Sequence, residues 1–326
     1  MDMDTRQIPI IFLCHIVVCF YVVRTIQSIF VRAIVTLVPC LILTYLGCSH
    51  LPYFEIGSIM IICLYWFFMI RMIHMIVLVP DEQTSFFRYL WKFAWVLMPI
   101  VPCQTTQPIV YDLAVGFSKF FITLWINRWL LICEPSDSYI RIVMFFVSVC
   151  AATFINEIQI VAVRIITRNK YTILDFNNYP FLSQTLREFW GRRYNRLVNT
   201  LLKESIFYPV HRSLKLTTTL AALSSFIVSG LLHAHVAIAA FGASSAIPAF
   251  LFFFLHGLGC SVEALWPFSV PKPLKILLTQ IFIIITGPLY LGLFTRVGPK
   301  FVELNKPMLF DTIIIPSFLV PSFCPK

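Results

Sequence analysis

Long apolar runs recur along the whole of this 326-residue chain and constrain its fold more than any other feature. A helix needs about 20 apolar residues to cross a bilayer, so each run is a candidate span. The chain is 59% hydrophobic and 12% charged, whereas soluble domains are about 45–50% apolar and about 25% charged. The sequence therefore predicts an all-α polytopic integral membrane protein, with a single membrane domain over residues 1–326.

We expect eight or nine transmembrane helices. The candidate runs are Ile8–Val23, Ala33–Gly47, Ile56–Val79, Leu113–Cys133, Tyr139–Ile166, Thr217–Ala240, Ala246–Trp266, Leu274–Phe294 and Leu309–Val320. A further run, Trp91–Val101, is too short to span and is expected to lie at the interface or to re-enter.

Positive charge is concentrated between Arg164 and Lys215, where ten Lys or Arg residues face three acidic ones. Basic loops stay on the cytoplasmic side of a membrane. We therefore expect this segment to face the cytosol, and the loop that holds Glu134 and Asp137 to face the lumen. Nucleic acid is not an expected partner, because nothing in the chain is predicted to form a soluble domain that could bind nucleic-acid bases.

Aromatic and apolar residues recur at helical spacing from Leu186 to Val198, with arginines between them. This pattern predicts an amphipathic helix that lies in the interface, capped at its start by Ser183. Arg192 and Arg193 are then candidates to hold phosphate groups through bidentate hydrogen bonds. The alternative is a topogenic loop that only touches anionic lipid.

Ser225, Ser229 and His233 follow one another at steps of four and predict a polar stripe on an apolar helix. Gly230 indicates close approach of a second helix or a ligand. A neutral imidazole in this setting can take a proton from an alcohol that attacks a carbonyl carbon. Alternatively, the histidine holds helices together through hydrogen bonds. His235 lies on a different face, so one histidine of the pair is expected to be structural.

His256 and Glu263 lie seven residues apart, on one face of the next predicted helix. The pair is expected either to order a proton path or to support helix packing. The ten cysteines contain no C-x-x-C pair, so neither a zinc site nor a disulfide framework is expected. The spacing of the acidic and histidine residues gives no reason to expect a metal ligand set.

Three motifs in the chain, in this order, resemble those of the wax synthase branch of the membrane-bound O-acyltransferases. They are SQTLREFWGRRYN at Ser183–Asn195, SGLLH at Ser229–His233 and FFLHGLGCSVE at Phe253–Glu263. The resemblance covers residues 180–265, which are expected to form a wax-synthase-like core. The departures from the family pattern are Tyr194 for Trp, Glu188 for Asp and Ala234 for Glu.

The resemblance implies an enzyme of the endoplasmic reticulum membrane that moves an acyl group from acyl-CoA to a lipid hydroxyl. The acceptor is expected to be a long-chain fatty alcohol, giving a wax ester, with no bound cofactor beside the acyl-CoA co-substrate. His233 and Asn195 map to the family's catalytic positions. The residues expected to bind substrate are Trp190, Arg192, Arg193, Ser229, His256 and Glu263.

Three alternatives remain open at this point. The same machinery could transfer an acetyl or acyl group to a sterol or terpenoid hydroxyl. The chain could also be a polytopic transporter with a histidine proton relay, or a lipid-binding protein without catalytic activity. Internal symmetry of the kind that transporters show is not visible in the sequence.

Overall fold

The structure is a computed structural model that describes residues 7–80, 83–133, 138–265, 270–305 and Cys324. The α-helices of these ranges are α1 (Ile8–Tyr21), α2 (Ile29–Cys48), α3 (Ile56–Met72), α4 (Phe86–Leu97), α5 (Ile109–Ile132), α6 (Tyr139–Ala151), α7 (Phe154–Ile166), α8 (Leu186–Glu188), α9 (Arg196–Leu202), α10 (Tyr208–Arg212), α11 (Thr218–Ala239), α12 (Ile247–Leu265), α13 (Lys272–Thr286) and α14 (Gly292–Asn305). The π-helices Ile73–Leu78, Phe189–Arg193 and Lys203–Phe207 extend α3, α8 and α9.

Eight helical stretches in the described ranges are long and apolar enough to cross a membrane, which confirms the prediction of a polytopic membrane protein. They are Ile8–Thr25, Ile29–Cys48, Ile56–Leu78, Ile109–Ile132, Tyr139–Ile166, Thr218–Ala239, Ile247–Leu265 and Lys272–Leu289. The ninth predicted run, Leu309–Val320, lies outside the described residues.

The short run around Trp91 does not form a candidate span. Its helix, α4, begins earlier than predicted, at Phe86, where the hydroxyl of Ser85 accepts the amide hydrogen of Arg88. The end of the run instead forms strand β1 (Ile100–Pro102), which pairs antiparallel with β2 (Tyr171–Ile173). The hydrophobic pattern did not predict this small sheet, because each strand is only three residues long.

The chain divides into two compact units, and each is discontinuous in sequence. Unit 1 consists of residues 1–98 and 198–261, and unit 2 of residues 99–197 and 262–326. The expected core of residues 180–265 therefore contributes to both. A single membrane domain over the whole chain stays a prediction.

Unit 1 shows the close approach that Gly230 predicted. A β-carbon at Gly230 would lie 2.9 Å from the ring of Phe250, so α11 and α12 touch where the glycine removes a side chain. Gly257 on α12 likewise allows α11 to come close, since a β-carbon at Gly257 would lie 2.9 Å from the side chain of Phe226 on α11. The two glycines together allow the helix that carries His233 to pack against its neighbour.

Unit 2 is held by polar links as well as by apolar packing. The ion pairs Lys119–Glu157 and Arg164–Asp112 join α5 to α7. Cys133 at the end of α5 forms a disulfide with Cys324, with 5.3 Å between their α-carbons. The cysteine pattern indicated no disulfide framework and did not predict this single bond, because the two partners lie 191 residues apart and no spacing rule links them.

Candidate functional site

Helix α11 fixes the ring of His233 through a local hydrogen bond and a ring stack. Its Nδ1 lies 2.7 Å from the carbonyl oxygen of Ser229, one turn earlier. Because a carbonyl oxygen only accepts, Nδ1 carries the proton of the neutral ring and Nε2 is the basic nitrogen. The imidazole also stacks on Phe253, with 3.9 Å between ring centroids. His233 is thus held in one tautomer, the one whose basic nitrogen is Nε2.

His235 has a different and clearly structural contact. Its Nδ1 accepts a hydrogen bond of 3.0 Å from the indole Nε1 of Trp66 on α3. This bond joins two predicted membrane spans of unit 1, as buried polar side chains of membrane helices commonly do. Of the two neighbouring histidines, the contacts assign the bridging role to His235, as expected for one member of the pair.

The segment from Leu186 onwards is helical, but it is not the single amphipathic helix that was predicted. Helix α8 and its π-helical extension end at Arg193, Tyr194 is extended, and α9 begins at Arg196. The predicted cap was also wrong. Thr185 caps α8 by accepting the amide of Glu188 at 2.9 Å, whereas the hydroxyl of Ser183 donates to the carbonyl of Pro180.

The break falls at Asn195, which has a left-handed backbone conformation with φ +42°. Its amide donates to the side-chain oxygen of Asn177 at 2.9 Å, and the next amide, of Arg196, donates to the carbonyl of Phe176. Asparagine tolerates positive φ better than most residues, so the residue type suits the turn. The backbone at Asn195 is therefore set by contacts with the loop that follows β2.

The Asn177 loop is itself anchored on α7. The amide group of Asn156 donates to the carbonyl of Leu174 at 3.4 Å and accepts the amide hydrogen of Phe176 at 3.0 Å. Asn156 and Asn177 were missed in the sequence, because their roles depend on contacts 18 to 20 residues away. The only local signal was the pair of asparagines at 177 and 178 in a turn-forming stretch.

Arg193 and Arg192 differ in their surroundings. Arg193 donates to the carboxylate of Glu188 at 2.7 Å and to the carbonyls of Asn178 and Tyr179, so its guanidinium is already used within the segment. Arg192 is exposed. Of the two arginines expected to hold phosphates, Arg192 is therefore the one accessible to a ligand.

The carboxylate of Glu188 is stabilised in its charged form. Partial burial raises its pKa. The hydrogen bonds from the amide of Gln184 and from Arg193, with the charges of Arg193 and Arg192, outweigh that effect and leave the pKa below its usual value. Glu188 is therefore ionised at neutral pH. Its ion pair with Arg193 joins the end of α8 to the end of the π-helix that follows.

Glu263 contacts the beginning of the same segment. Its two carboxylate oxygens accept the amide hydrogens of Leu186 and Arg187, at 2.7 and 3.2 Å. A carboxylate at the first turn of a helix satisfies amides that have no partner within the helix. The role that these contacts support is to hold the start of α8.

The remaining predicted site residues are aromatic or lie among aromatic rings. Trp190 packs edge-on against Phe189 and Tyr194, with 5.0 and 5.5 Å between centroids. His256 is fully buried, and its ring centroid lies 4.4 Å from that of Phe252.

The predicted site residues fall into two groups. Ser229, His233 and His256 belong to unit 1, whereas Trp190, Arg192, Arg193, Asn195 and Glu263 belong to unit 2. Within the described part of the chain, no group of three or more His, Cys, Asp or Glu side chains is arranged to hold a metal ion.

Comparison with known proteins supports the resemblance noted in the sequence. Residues 175–255 match the family model described as "Membrane bound O-acyl transferase family". That range contains Asn195 and His233. It includes the first two motifs completely and ends at Leu255, within the third. The predicted resemblance to this family is confirmed.

Curated relatives carry consistent names. The chain is 30% identical over 150 residues to the "Probable long-chain-alcohol O-fatty-acyltransferase 9" of Arabidopsis thaliana, covering 41% of this chain and 43% of the relative. It is 31% identical over 151 residues to the "Long-chain-alcohol O-fatty-acyltransferase" of Simmondsia chinensis, covering 41% and 42%. It is 30% identical over 126 residues to the "Acyl-CoA--sterol O-acyltransferase 1" of Arabidopsis thaliana, covering 34% and 35%. The matched part thus spans less than half the length of each of these relatives.

Proposed function

We propose that this protein is an O-acyltransferase that moves an acyl group from acyl-CoA to the hydroxyl of a membrane lipid. The acceptor is a long-chain fatty alcohol and the product is a wax ester. The observation that carries the proposal is the hydrogen bond from His233 to the carbonyl of Ser229, which leaves Nε2 as the basic nitrogen. The family match over residues 175–255 and the names of the relatives support the same reaction class.

In the proposed reaction, Nε2 of His233 takes the proton of the alcohol as its oxygen attacks the thioester carbonyl carbon. The carbon–sulfur bond then breaks, and the proton passes to the sulfur to give free CoA and the ester. General-base assistance of this kind contributes typically about 10²–10⁴-fold to the rate. The reaction needs no redox partner, since no atom changes its oxidation state.

The other site residues have positioning roles in this proposal. The amide side chain of Asn195 orients the thioester, and Arg192 contacts the phosphates of the donor. Trp190 and Ser229 contribute to substrate binding. For His256 and Glu263 the substrate-binding role stays a prediction. Their contacts with Phe252 and with the amides of Leu186 and Arg187 support the alternative role in helix packing.

The proposed location is the endoplasmic reticulum membrane, with acyl-CoA arriving from the cytosol and the alcohol from the bilayer. The charge of residues 164–215 supports this orientation, because basic segments stay cytosolic. The disulfide of Cys133 adjoins the loop expected in the lumen, an oxidising compartment where disulfides persist.

A sterol acceptor is the second candidate, and the match to an acyl-CoA–sterol O-acyltransferase favours it. The test is expression in microsomes of a host without this activity, supplied with labelled acyl-CoA and a panel of fatty alcohols, sterols and diacylglycerol. We expect labelled wax ester from the wild type and none above background from His233→Ala at equal protein level. If sterol ester is the main product, the acceptor is a sterol and not a fatty alcohol. If no acceptor in the panel is acylated, the proposed function is refuted.

A further inference from the structure

A pocket in unit 1 contains none of the residues assigned above. It has a volume of about 560 Å³, within the usual range for small-molecule sites of about 300–1,000 Å³. Its walls are the end of α3 with the π-helix Ile73–Leu78, one side of α4, and the stretch from Lys203–Phe207 into α10. Two of these walls include a π-helix. This geometry is rare in proteins, and where it occurs it is often at a functional site.

The lining of this pocket carries an excess of positive charge. Arg71, Lys92 and Arg212 line it together with one acidic residue, Glu204. Glu204 is paired with Arg71 at 2.7 Å. Among the described residues of unit 1, no carboxylate forms an ion pair with Lys92 or Arg212. In the part of the chain that the structure describes, two cations that line the pocket therefore have no carboxylate partner.

Arg71 forms a fixed base for the pocket. Only 4% of its side chain is exposed, and it donates to Glu204 and, at 3.5 Å, to the hydroxyl of Ser205. Its guanidinium carbon lies 5.4 Å from the centre of the Trp95 ring. A buried arginine is costly unless it is paired, and here the carboxylate, the hydroxyl and the ring hold it in one place.

Aromatic side chains stand beside these cations. Trp91, Trp95 and Tyr208 line the pocket, and the guanidinium of Arg212 lies 4.8 Å from the centre of the Tyr208 ring. On α4, Phe87 is 84% exposed and Trp91 is 66% exposed. Large exposed aromatic residues on a short amphipathic helix are typical of a helix that lies in the membrane interface. Lys92 on this helix is then at the depth of lipid head groups.

We propose that this pocket binds a phosphate-bearing ligand. Lys92 and Arg212 bind the phosphate oxygens, with Arg71 behind them, and the indoles of Trp91 and Trp95 contact the rest of the ligand. A phosphate group presents several charged oxygens and so suits cations from separate elements better than a single carboxylate does. Two ligands provide this chemistry, namely the coenzyme A part of a thioester and the head group of an anionic phospholipid.

The test compares two double variants with the same change in charge. Lys92→Gln/Arg212→Gln removes the two unbalanced cations of the pocket. Arg88→Gln/Lys215→Gln removes one exposed cation from α4 and one from the stretch after α10, and neither residue lines the pocket. Full-length protein in phosphatidylcholine nanodiscs is titrated with coenzyme A, and a second set of nanodiscs contains photoreactive phosphatidic acid. Equal elution volumes and melting temperatures verify folding.

We expect the pocket variant to lose about tenfold or more in affinity for one of the two probes, because two charge-assisted contacts are removed. The control is expected to bind as the wild type does. Loss with coenzyme A identifies the ligand as the donor, and loss with phosphatidic acid identifies a lipid. Unchanged binding of both probes overturns the proposal, as does equal loss in the control.

The result is independent of the proposed function, because the measurement is binding and not ester formation. If the wild type makes ester and the pocket variant binds both probes normally, only the proposed pocket is refuted. If the protein binds a probe in the pocket but makes no ester, only the proposed function is refuted.

Discussion

Replacing His233 by asparagine separates its proposed chemistry from its structural contacts. The amide NH₂ of asparagine stands close to the position of Nδ1 and can still donate to the carbonyl of Ser229. No atom replaces Nε2, so the variant has no base at that point. The matched control is His235→Asn, in which the amide oxygen replaces Nδ1 as acceptor for Trp66.

The expected effects differ in size between activity and stability. Loss of a general base costs about 10²–10⁴-fold in rate, which is about 3–5 kcal/mol of transition-state stabilisation. The stack of His233 on Phe253 is also lost, and such ring pairs contribute about 0.5–1.5 kcal/mol to stability. His233→Asn should therefore remain folded while its turnover falls at least a hundredfold, by the lower of these estimates.

The assay is the initial rate of ester formation by purified protein in nanodiscs, divided by the amount of folded protein, with a melting temperature for each variant. His235→Asn should retain turnover within about threefold of the wild type, since its contact is with Trp66 and not with substrate. If His233→Asn keeps a rate similar to that of His235→Asn, the imidazole is not the base and the proposed mechanism is wrong.

Three further predictions concern other residues. Asn195→Gly should keep the melting temperature, because glycine accepts φ +42°, and should lose ester formation, whereas Asn195→Ala should also lose about 1 kcal/mol of stability. Acidification should loosen the segment around Glu188, measured by hydrogen exchange in detergent. Because its pKa is lowered in the fold, its contribution is complete above the ordinary pKa of about 4.3 and is lost as the pH falls through the lower, folded value. Cys133→Ser should lower the free energy of unfolding by about 2–4 kcal/mol, and non-reducing digestion should link its peptide to that of Cys324.

Each of these predictions has an outcome that contradicts it. Wild-type turnover in Asn195→Gly would exclude the side chain from the reaction. Acid-induced exchange that is the same in Glu188→Gln as in the wild type would assign the pH effect to another group. Alkylation of Cys133 without a reductant would show that the disulfide does not form in the cell.

The sequence predicted the spans well because their signal is local. A run such as Ile56–Val79 must be helical in lipid to satisfy its own amides, so length and hydropathy are sufficient. The observed span, Ile56–Leu78, ends one residue earlier. The pattern did not indicate that its last turn is π-helical, a local change that hydropathy does not record.

The segment around Asn195 shows where a periodic pattern is insufficient. Apolar residues at helical spacing continue through Tyr194, yet the chain leaves the helix there. The competing contacts come from Asn177 and Phe176, which take the amides of Asn195 and Arg196. Similarly, Glu263 is bonded to amides 76 and 77 residues away. A single sequence contains the residue types for such bonds but not their pairing.

The two histidines of α11 differ in how far away in the sequence their hydrogen-bond partners lie. The carbonyl of Ser229 lies one turn before His233 on the same helix, so a four-residue spacing brings it within reach without any tertiary contact. The partner of His235 is 169 residues away in sequence. The backbone carbonyl one turn earlier is therefore sufficient to fix the tautomer of His233, whereas His235 acquires its bridging contact only when the helices pack. For this reason the ring with the local bond is the one on which the proposed base chemistry rests.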